Sequence, residues 1–170
     1  MEFIFDVMIG KFGDLYTVSG NEDYQEGADL EAVKKNYCDS VVKKYVSAKT
    51  NLKNDMRAEM KRSFSAFSLY KTVDITLTNK TNPDITVSFS AHILMHKYRS
   101  DGFCDCYTFE YPACIGSGNS EEEAVTDLFL EFDDEFVFDE DRERAERFVA
   151  YIEKRKNAFF GIATLRADVH

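Results

Sequence analysis

The stretch from Phe103 to Phe138 constrains the fold most strongly, because its hydrophobic period changes from that of a strand to that of a helix across one glycine turn. Aromatic and polar residues alternate before Pro112, as in a strand with one buried face. Beyond a Gly-Ser-Gly turn, apolar residues recur three and four positions apart, which predicts an amphipathic helix. Asn119 or Ser120 can cap it, and Ser120 with Glu123 forms a capping-box pattern. The stretch therefore predicts a packing unit of strand, turn and helix.

The same two periods predict the remaining elements. A strand at 3–9 returns through a turn at 11–14, and 19–27 is predicted as loop. Further predictions are a helix from Asp29 to about 48, a helical pattern over 52–67 that continues it or forms a second helix, strands at 73–78 and 85–95, a short strand at 113–115, a helix from an Asp139 cap to Lys156, and a strand at 158–165 with both faces apolar. This order predicts an α+β fold: a mainly antiparallel β-sheet with amphipathic helices packed on its apolar face, in one domain of residues 1–170.

The hairpin around Asp101-Gly102 allows two registers. A two-residue loop places Lys97 and Met95 on one face with Cys106 and Thr108. A three-residue loop, with Gly102 left-handed, instead aligns Met95, Ile93 and Ala91 with an aromatic face of the next strand. We expect the second register, because it makes one face uniformly apolar. It pairs Tyr98 with Cys104, His96 with Cys106, and His92 with Glu110.

That register brings four possible metal ligands onto the polar face of the hairpin. His92, His96, Cys104 and Cys106 offer the nitrogen and sulfur atoms that zinc binds tetrahedrally. The competing interpretation is ordinary half-buried cysteine and surface histidine, because a Cys-x-Cys pair with no second pair is not the usual spacing of a structural zinc site.

Other catalytic patterns have weaker support. The Gly116-x-Gly118 turn has the outline of a phosphate loop, but three glutamates follow it in the first turn of the helix and would repel a phosphate. The acidic run at 133–141 is most simply a solvated face, since it lacks the glycine and the final glutamate of a calcium loop. No Gly-x-Ser-x-Gly nucleophile turn is present. We predict no catalytic residues.

Charge is distributed unevenly along the chain. The formal net charge is −10, and residues 100–141 hold fourteen Asp or Glu without a Lys or Arg. Residues 33–71 hold ten Lys or Arg against three acids. We interpret the basic stretch as a solvated helix face and expect no direct nucleic-acid binding, because overall acidity opposes attraction to phosphates. We predict that the acidic side binds a protein with a basic surface through Glu121, Glu122, Asp127, Glu131, Asp133, Asp134, Glu135, Asp139, Glu140 and Asp141.

The expected cellular compartment is inferred from the lack of a recognisable secretory signal or membrane-spanning segment in this sequence. Glu2 and Asp6 stand where a secretory signal would need positive charge. No segment approaches the ~18 apolar residues of a membrane span. We therefore expect a cytoplasmic protein whose four cysteines stay reduced, with no membrane association.

Residues 85–137 resemble HicB-like antitoxin domains. The resemblance lies in the alternating aromatics from Tyr107 to Tyr111, the turn Pro112-Ala-Cys114, the glycines at 116 and 118, and Ser120-Glu-Glu-Glu-Ala124 at the start of the helix. It implies a non-enzymatic sheet and helix module that binds a protein, which in that family is an RNA-cleaving toxin. The Pro-Gly-Cys turn common in the family is Pro-Ala-Cys here. A helix and an apolar strand follow the module, so the family's DNA-binding element is not expected.

Three functions remain open. The first is a non-enzymatic inhibitor or antitoxin-like neutraliser of a basic, nucleic-acid-processing partner, possibly a nuclease. The second is a phage-type inhibitor that mimics nucleic acid and occupies the groove of a host defence nuclease. The third is a metal-dependent or hydrolytic enzyme.

Overall fold

A computed structural model describes residues 2–20, 23–47, 68–98 and 102–168, apart from the Phe5 side chain. The α+β prediction is confirmed. The described residues form two compact units: the terminal unit comprises those within 1–67 and 160–170, and the central unit is Ser68–Phe159. Each has its own four-stranded sheet, where the sequence predicts one sheet. The single domain stays a prediction, because two such units can still fold cooperatively.

The terminal unit combines one sheet with one helix. Its strands are β1 (Glu2–Phe12), β2 (Leu15–Ser19), β3 (Tyr24–Gly27) and β8 (Phe159–Asp168), in the order β3-β2-β1-β8. Helix α1 (Leu30–Ser47) begins after Asp29, whose carboxylate accepts a hydrogen bond from the Ala32 N–H at 2.7 Å. Its buried side chains share one core with apolar residues of β1, β2 and β8: Phe3, Val7, Val18, Val33, Tyr37, Val41, Tyr45 and Leu165.

Two predictions fail in this unit, and a third lies outside the description. The predicted loop at 19–27 contains β3, which pairs antiparallel with β2 although its sequence lacks an apolar alternation. Strand β8 is not buried on both faces: it lies at the end of its described sheet, with Leu165 and Ala167 buried and Phe160 exposed. The helical pattern at 52–67 lies outside the described residues.

The central unit is an antiparallel sheet with helices on one face. Strands β4 (Ser68–Thr78), β5 (Thr86–Lys97), β6 (Cys104–Thr108) and β7 (Ile115–Gly118) are neighbours in that order. The chain continues through α2 (Glu121–Phe132), a π-helical turn (Asp133–Val137) and α3 (Arg142–Arg155). The odd-numbered residues of β5 from Val87 to Met95 are buried as predicted, and they form one core with these helices: Val87, Phe89, Ala91, Ile93, Met95, Leu128, Phe132, Phe136, Phe148 and Ile152.

The β5–β6 register is neither of the two that the sequence suggests, although it places Met95 and Lys97 on one face with Cys106, as the two-residue loop would. Met95 pairs with Cys106 and Lys97 with Cys104, one position away from the predicted pairing. Gly102 has the predicted positive φ of 78°. The apolar pattern is ambiguous here because Leu94 and Met95, adjacent residues on opposite faces of β5, are both buried. The side chains of Cys104 and Cys106 therefore lie on the core face.

The predicted glycine turn is instead part of strand β7, which begins later than the predicted strand at 113–115. A Cβ on Gly116 would overlap the carbonyl oxygen of Ala124 and the amide nitrogen of Leu128. A Cβ on Gly118 would lie 2.7 Å from the Ala124 nitrogen. The two glycines thus let α2 approach the strand backbone closely, which is a packing role.

Candidate functional site

The start of α2 follows the predicted capping pattern. The Ser120 hydroxyl accepts a hydrogen bond from the Glu123 N–H at 3.2 Å, and the Glu123 carboxylate accepts one from the Asn119 N–H at 2.8 Å. The carboxylates of Glu121, Glu122 and Glu123 complement the positive end of the helix dipole. The first turn of α2 is therefore already occupied by its own acids, which fits a cap and not a phosphate site.

Helix α3 begins two residues after the predicted position. Asp141, and not Asp139, is its N-cap: the Asp141 carboxylate accepts hydrogen bonds from the N–H groups of Glu143 at 2.9 Å and Arg144 at 3.3 Å. Asp139 instead accepts a hydrogen bond from the Asp141 N–H at 2.9 Å. Both carboxylates thus serve the junction between the π-helical turn and α3.

The ten acids of the predicted partner-binding face divide into two groups, and half of them have internal roles. Glu121 forms an ion pair with Lys97, and Asp127 accepts a hydrogen bond from the Ser117 N–H at 2.9 Å. Arg144 binds Glu135 at 2.9 Å and Asp139 at 3.2 Å. With Asp141 capping α3, these five residues stabilise the fold and are less available to a partner.

The other five carboxylates form what we call the acidic surface: Glu122, Glu131, Asp133, Asp134 and Glu140. Within the part of the chain that the structure describes, none of their side chains has a hydrogen bond or ion pair. All lie on α2, the π-helical turn or the residues just beyond it, and all are exposed except Asp133, which is half-buried. Glu131, Asp133 and Asp134 lie within four consecutive residues, and like charges this close in sequence raise the local negative potential and favour a cationic partner.

Two exposed apolar side chains lie among these acids. Leu130 is 56% exposed near the end of α2, and Phe138 is 52% exposed directly after the π-helical turn. The Lys80 ammonium group lies 4.0 Å from the centre of the Phe138 ring. The candidate site is therefore acidic and partly apolar, a composition suited to a protein partner.

The predicted metal ligands do not come together as the sequence suggests. His96 pairs with Asp105, so its side chain lies on the opposite face of the sheet from Cys104 and Cys106. Among the described residues, no group of three or more His, Cys, Asp or Glu side chains is placed to hold a metal ion. Burial raises the pKa of Cys106 to about 11 and also raises that of Cys104. A neutral thiol is a poor metal ligand.

His92 and Glu110 do meet, although the predicted register is wrong. Glu110 follows the end of β6, and its carboxylate is 0% exposed. It accepts a hydrogen bond from the His92 N–H at 2.9 Å and lies 2.6 Å from His92 Nδ1. The His92 ring stacks on Phe159 at 4.3 Å between ring centres. No sequence pattern marks Glu110 as buried.

A second polar cluster crosses three strands on the face opposite the central core. Tyr98 and Ser117 both donate hydrogen bonds to Asp105, each at 2.7 Å, and His96 is the cross-strand neighbour of Asp105. Burial lowers the pKa of His96, while the Asp105 carboxylate opposes this shift. Catalytic triads place the imidazole next to the nucleophilic hydroxyl, whereas Ser117 donates directly to a carboxylate. The cluster is best explained as a cross-strand network.

A scan of protein-family models, the curated proteins and the solved structures found no match for this chain. Among the described residues, no helix is both long and apolar enough to cross a membrane.

Proposed function

We propose that this chain is a non-enzymatic, protein-binding module that neutralises a basic, nucleic-acid-processing partner through its acidic surface. The observation that carries the proposal is the division of the ten predicted acids. Five are used within the fold, while Glu122, Glu131, Asp133, Asp134 and Glu140 have no hydrogen bond or ion pair within the described residues. Mutual repulsion on one helix and its extension costs stability, and a cationic partner would relieve it.

The resemblance of residues 85–137 to HicB-like antitoxin domains supports the same proposal. Such a module would act by occupying its partner and would need no catalytic group of its own. Long-range attraction between opposite charges speeds association and makes it sensitive to salt. Strong salt dependence is therefore the expected signature of binding.

The test is affinity capture from the native host with matched charge reversals. Glu131→Lys with Asp134→Lys reverses two carboxylates of the acidic surface. Asp14→Lys with Asp168→Lys makes the same change in net charge at two exposed residues of the terminal unit. The wild type and the control should retain one basic protein at about 50 mM salt and release it at about 500 mM. The first variant should lose it at both concentrations.

The captured protein is then assayed for cleavage or processing of DNA and RNA. We expect the wild-type chain to inhibit that activity. If added nucleic acid displaces the chain, it acts as a nucleic-acid mimic; if not, it binds away from the nucleic-acid groove. Equal capture by both charge-reversal variants, or capture that does not depend on salt, would contradict the proposal.

A further inference from the structure

Leu130 and Phe138 are separated by eight residues, and the π-helical turn determines how they are oriented about the helix axis. In an uninterrupted α-helix each residue adds about 100°, so Phe138 would be rotated about 80° from Leu130. The turn is wider: the Phe138 N–H donates to the Asp133 carbonyl, five residues back, at 2.9 Å. A wider turn rotates less per residue and brings Phe138 back toward the line of Leu130.

The backbone around Phe138 is held from the β4–β5 turn. The Asn79 side-chain amide donates to the Phe136 carbonyl at 2.7 Å and to the Asp139 carbonyl at 2.8 Å. The Lys80 N–H donates to the Val137 carbonyl at 2.9 Å. These bonds fix the backbone of the turn, and the Lys80 ammonium group lies against the Phe138 ring, which stays 52% exposed, so a partly exposed aromatic group is held in place before any partner arrives. Such preorganisation lowers the entropy lost on binding.

We infer that Leu130 and Phe138 are the apolar anchors of the docking surface, and that its occupant is a basic amphipathic helix of a protein partner. Eight residues at the α-helical rise of about 1.5 Å would span about 12 Å, and the wider π-helical turn shortens this span, so the anchors are separated by roughly two turns of a partner helix. Apolar residues two turns apart on that helix would meet both anchors. Lys or Arg beside them would meet Glu131, Asp133 and Asp134 by charge complementarity. This inference rests on the proposed function.

The probe is a synthetic lysine-rich helical peptide of about five turns, with leucines on one face. A control peptide has the same composition, with the leucines spread around the helix. Binding to the full chain is measured by fluorescence anisotropy at low and high salt. We expect the amphipathic peptide to bind about tenfold or more tightly than the control, because only it can bury both anchors together.

Variants of the chain distinguish the contribution of the apolar anchors to peptide binding from that of the acidic side chains. Leu130→Gln and Phe138→Gln should each reduce the preference for the amphipathic peptide by at least about fivefold, while the salt dependence remains. The matched control is Ile115→Thr, which changes an apolar side chain that is 53% exposed on β7 and should leave the preference unchanged. Circular dichroism shows whether each variant keeps the wild-type fold.

The outcomes distinguish this inference from the proposed function. If both peptides bind equally in a salt-dependent way, or Leu130→Gln and Phe138→Gln both bind like wild type, the anchors are wrong while the acidic surface stands. If neither peptide binds, a helical occupant is wrong. Capture of the native partner provides a further check. If the Glu131→Lys and Asp134→Lys variant loses the partner while Leu130→Gln and Phe138→Gln retain it fully, the anchor role alone is overturned.

Discussion

The side-chain amide of Asn79 donates a hydrogen bond to the carbonyl oxygen of Phe136 at 2.7 Å, although the two residues are 57 positions apart. Asn79 is 0% exposed, and its side-chain carbonyl oxygen accepts a hydrogen bond from the Asn82 N–H at 2.7 Å. One buried side chain therefore connects the β4–β5 turn to the π-helical turn beside the acidic surface. Carbonyls freed from regular helical bonding need such donors.

Replacing Asn79 should destabilise the protein strongly. Asn79→Ala leaves the carbonyls of Phe136 and Asp139 without this donor, which should lower the free energy of unfolding by about 2–4 kcal/mol. Urea denaturation followed by circular dichroism measures the change. Thr81→Ala, at an exposed position of the same turn, should stay within about 0.5 kcal/mol of wild type. A similar loss in both variants would show that the amide bonds are not the cause.

Gly116 should not tolerate even one methyl group. Gly116→Ala places a Cβ against the backbone of Ala124 and Leu128, so α2 must move away from β7, at a cost of about 3 kcal/mol or more. Gly102→Ala is the comparison, because its Cβ meets nothing within 4 Å and only its positive φ is strained. That strain should cost about 1–2 kcal/mol. Thermal unfolding of both variants tests the order, and a smaller effect at Gly116 would refute the close approach.

Glu110 should stabilise the fold through the hydrogen bonds that its carboxylate accepts. Glu110→Ala leaves the His92 N–H without its acceptor inside the protein and opens a cavity, so we expect a loss of about 2–4 kcal/mol in unfolding free energy. Glu110→Gln keeps an acceptor of nearly the same shape and should lose less. Chemical denaturation at neutral pH compares the unfolding free energies of the two variants. An alanine variant as stable as the glutamine variant would argue against a structural role for the carboxylate.

Asp23 should make the terminal unit sensitive to acid. Burial raises the pKa of Asp23, but hydrogen bonds from Ser40, Gln25 and Lys44 outweigh it and lower the value to about 2. Because an unfolded aspartate titrates near ~3.9, the folded state prefers the carboxylate, and its contribution of about 2 kcal/mol is complete above about pH 5. This contribution should disappear as the pH falls from about 5 toward 2.

The check is the unfolding free energy of Asp23→Asn across that range. The variant should be less stable than wild type at pH 7 by about 2 kcal/mol, and the difference should shrink as the pH falls toward 2. Asp14→Asn, at an exposed position, serves as the control. A difference that stays constant with pH would mean that the stabilisation does not depend on the charge of Asp23.

Much of the secondary structure could be predicted because hydrophobic period reports which face of an element is buried. The hydrophobic pattern gives a wrong prediction where it does not distinguish a buried face from an exposed one. Strand β3 carries no apolar alternation and is held by backbone pairing with β2, so its sequence predicts a loop. The predicted register of β5 and β6 is wrong for the opposite reason: Leu94 and Met95 are both buried, and two apolar faces do not select a register.

The acidic site also has features that the sequence predicts and features that depend on the tertiary structure. The sequence by itself determined that α2 exists, that Asn119 or Ser120 caps it, and that the region from 100 to 141 has no cation of its own. Only the tertiary structure decided which acids are neutralised, because Lys97 and Arg144 lie outside that region and reach it through folding. It also decided that Asn79 holds the π-helical turn and that Phe138 stays exposed. Local periodicity determines the elements, whereas charge compensation and burial depend on contacts between residues far apart in the chain.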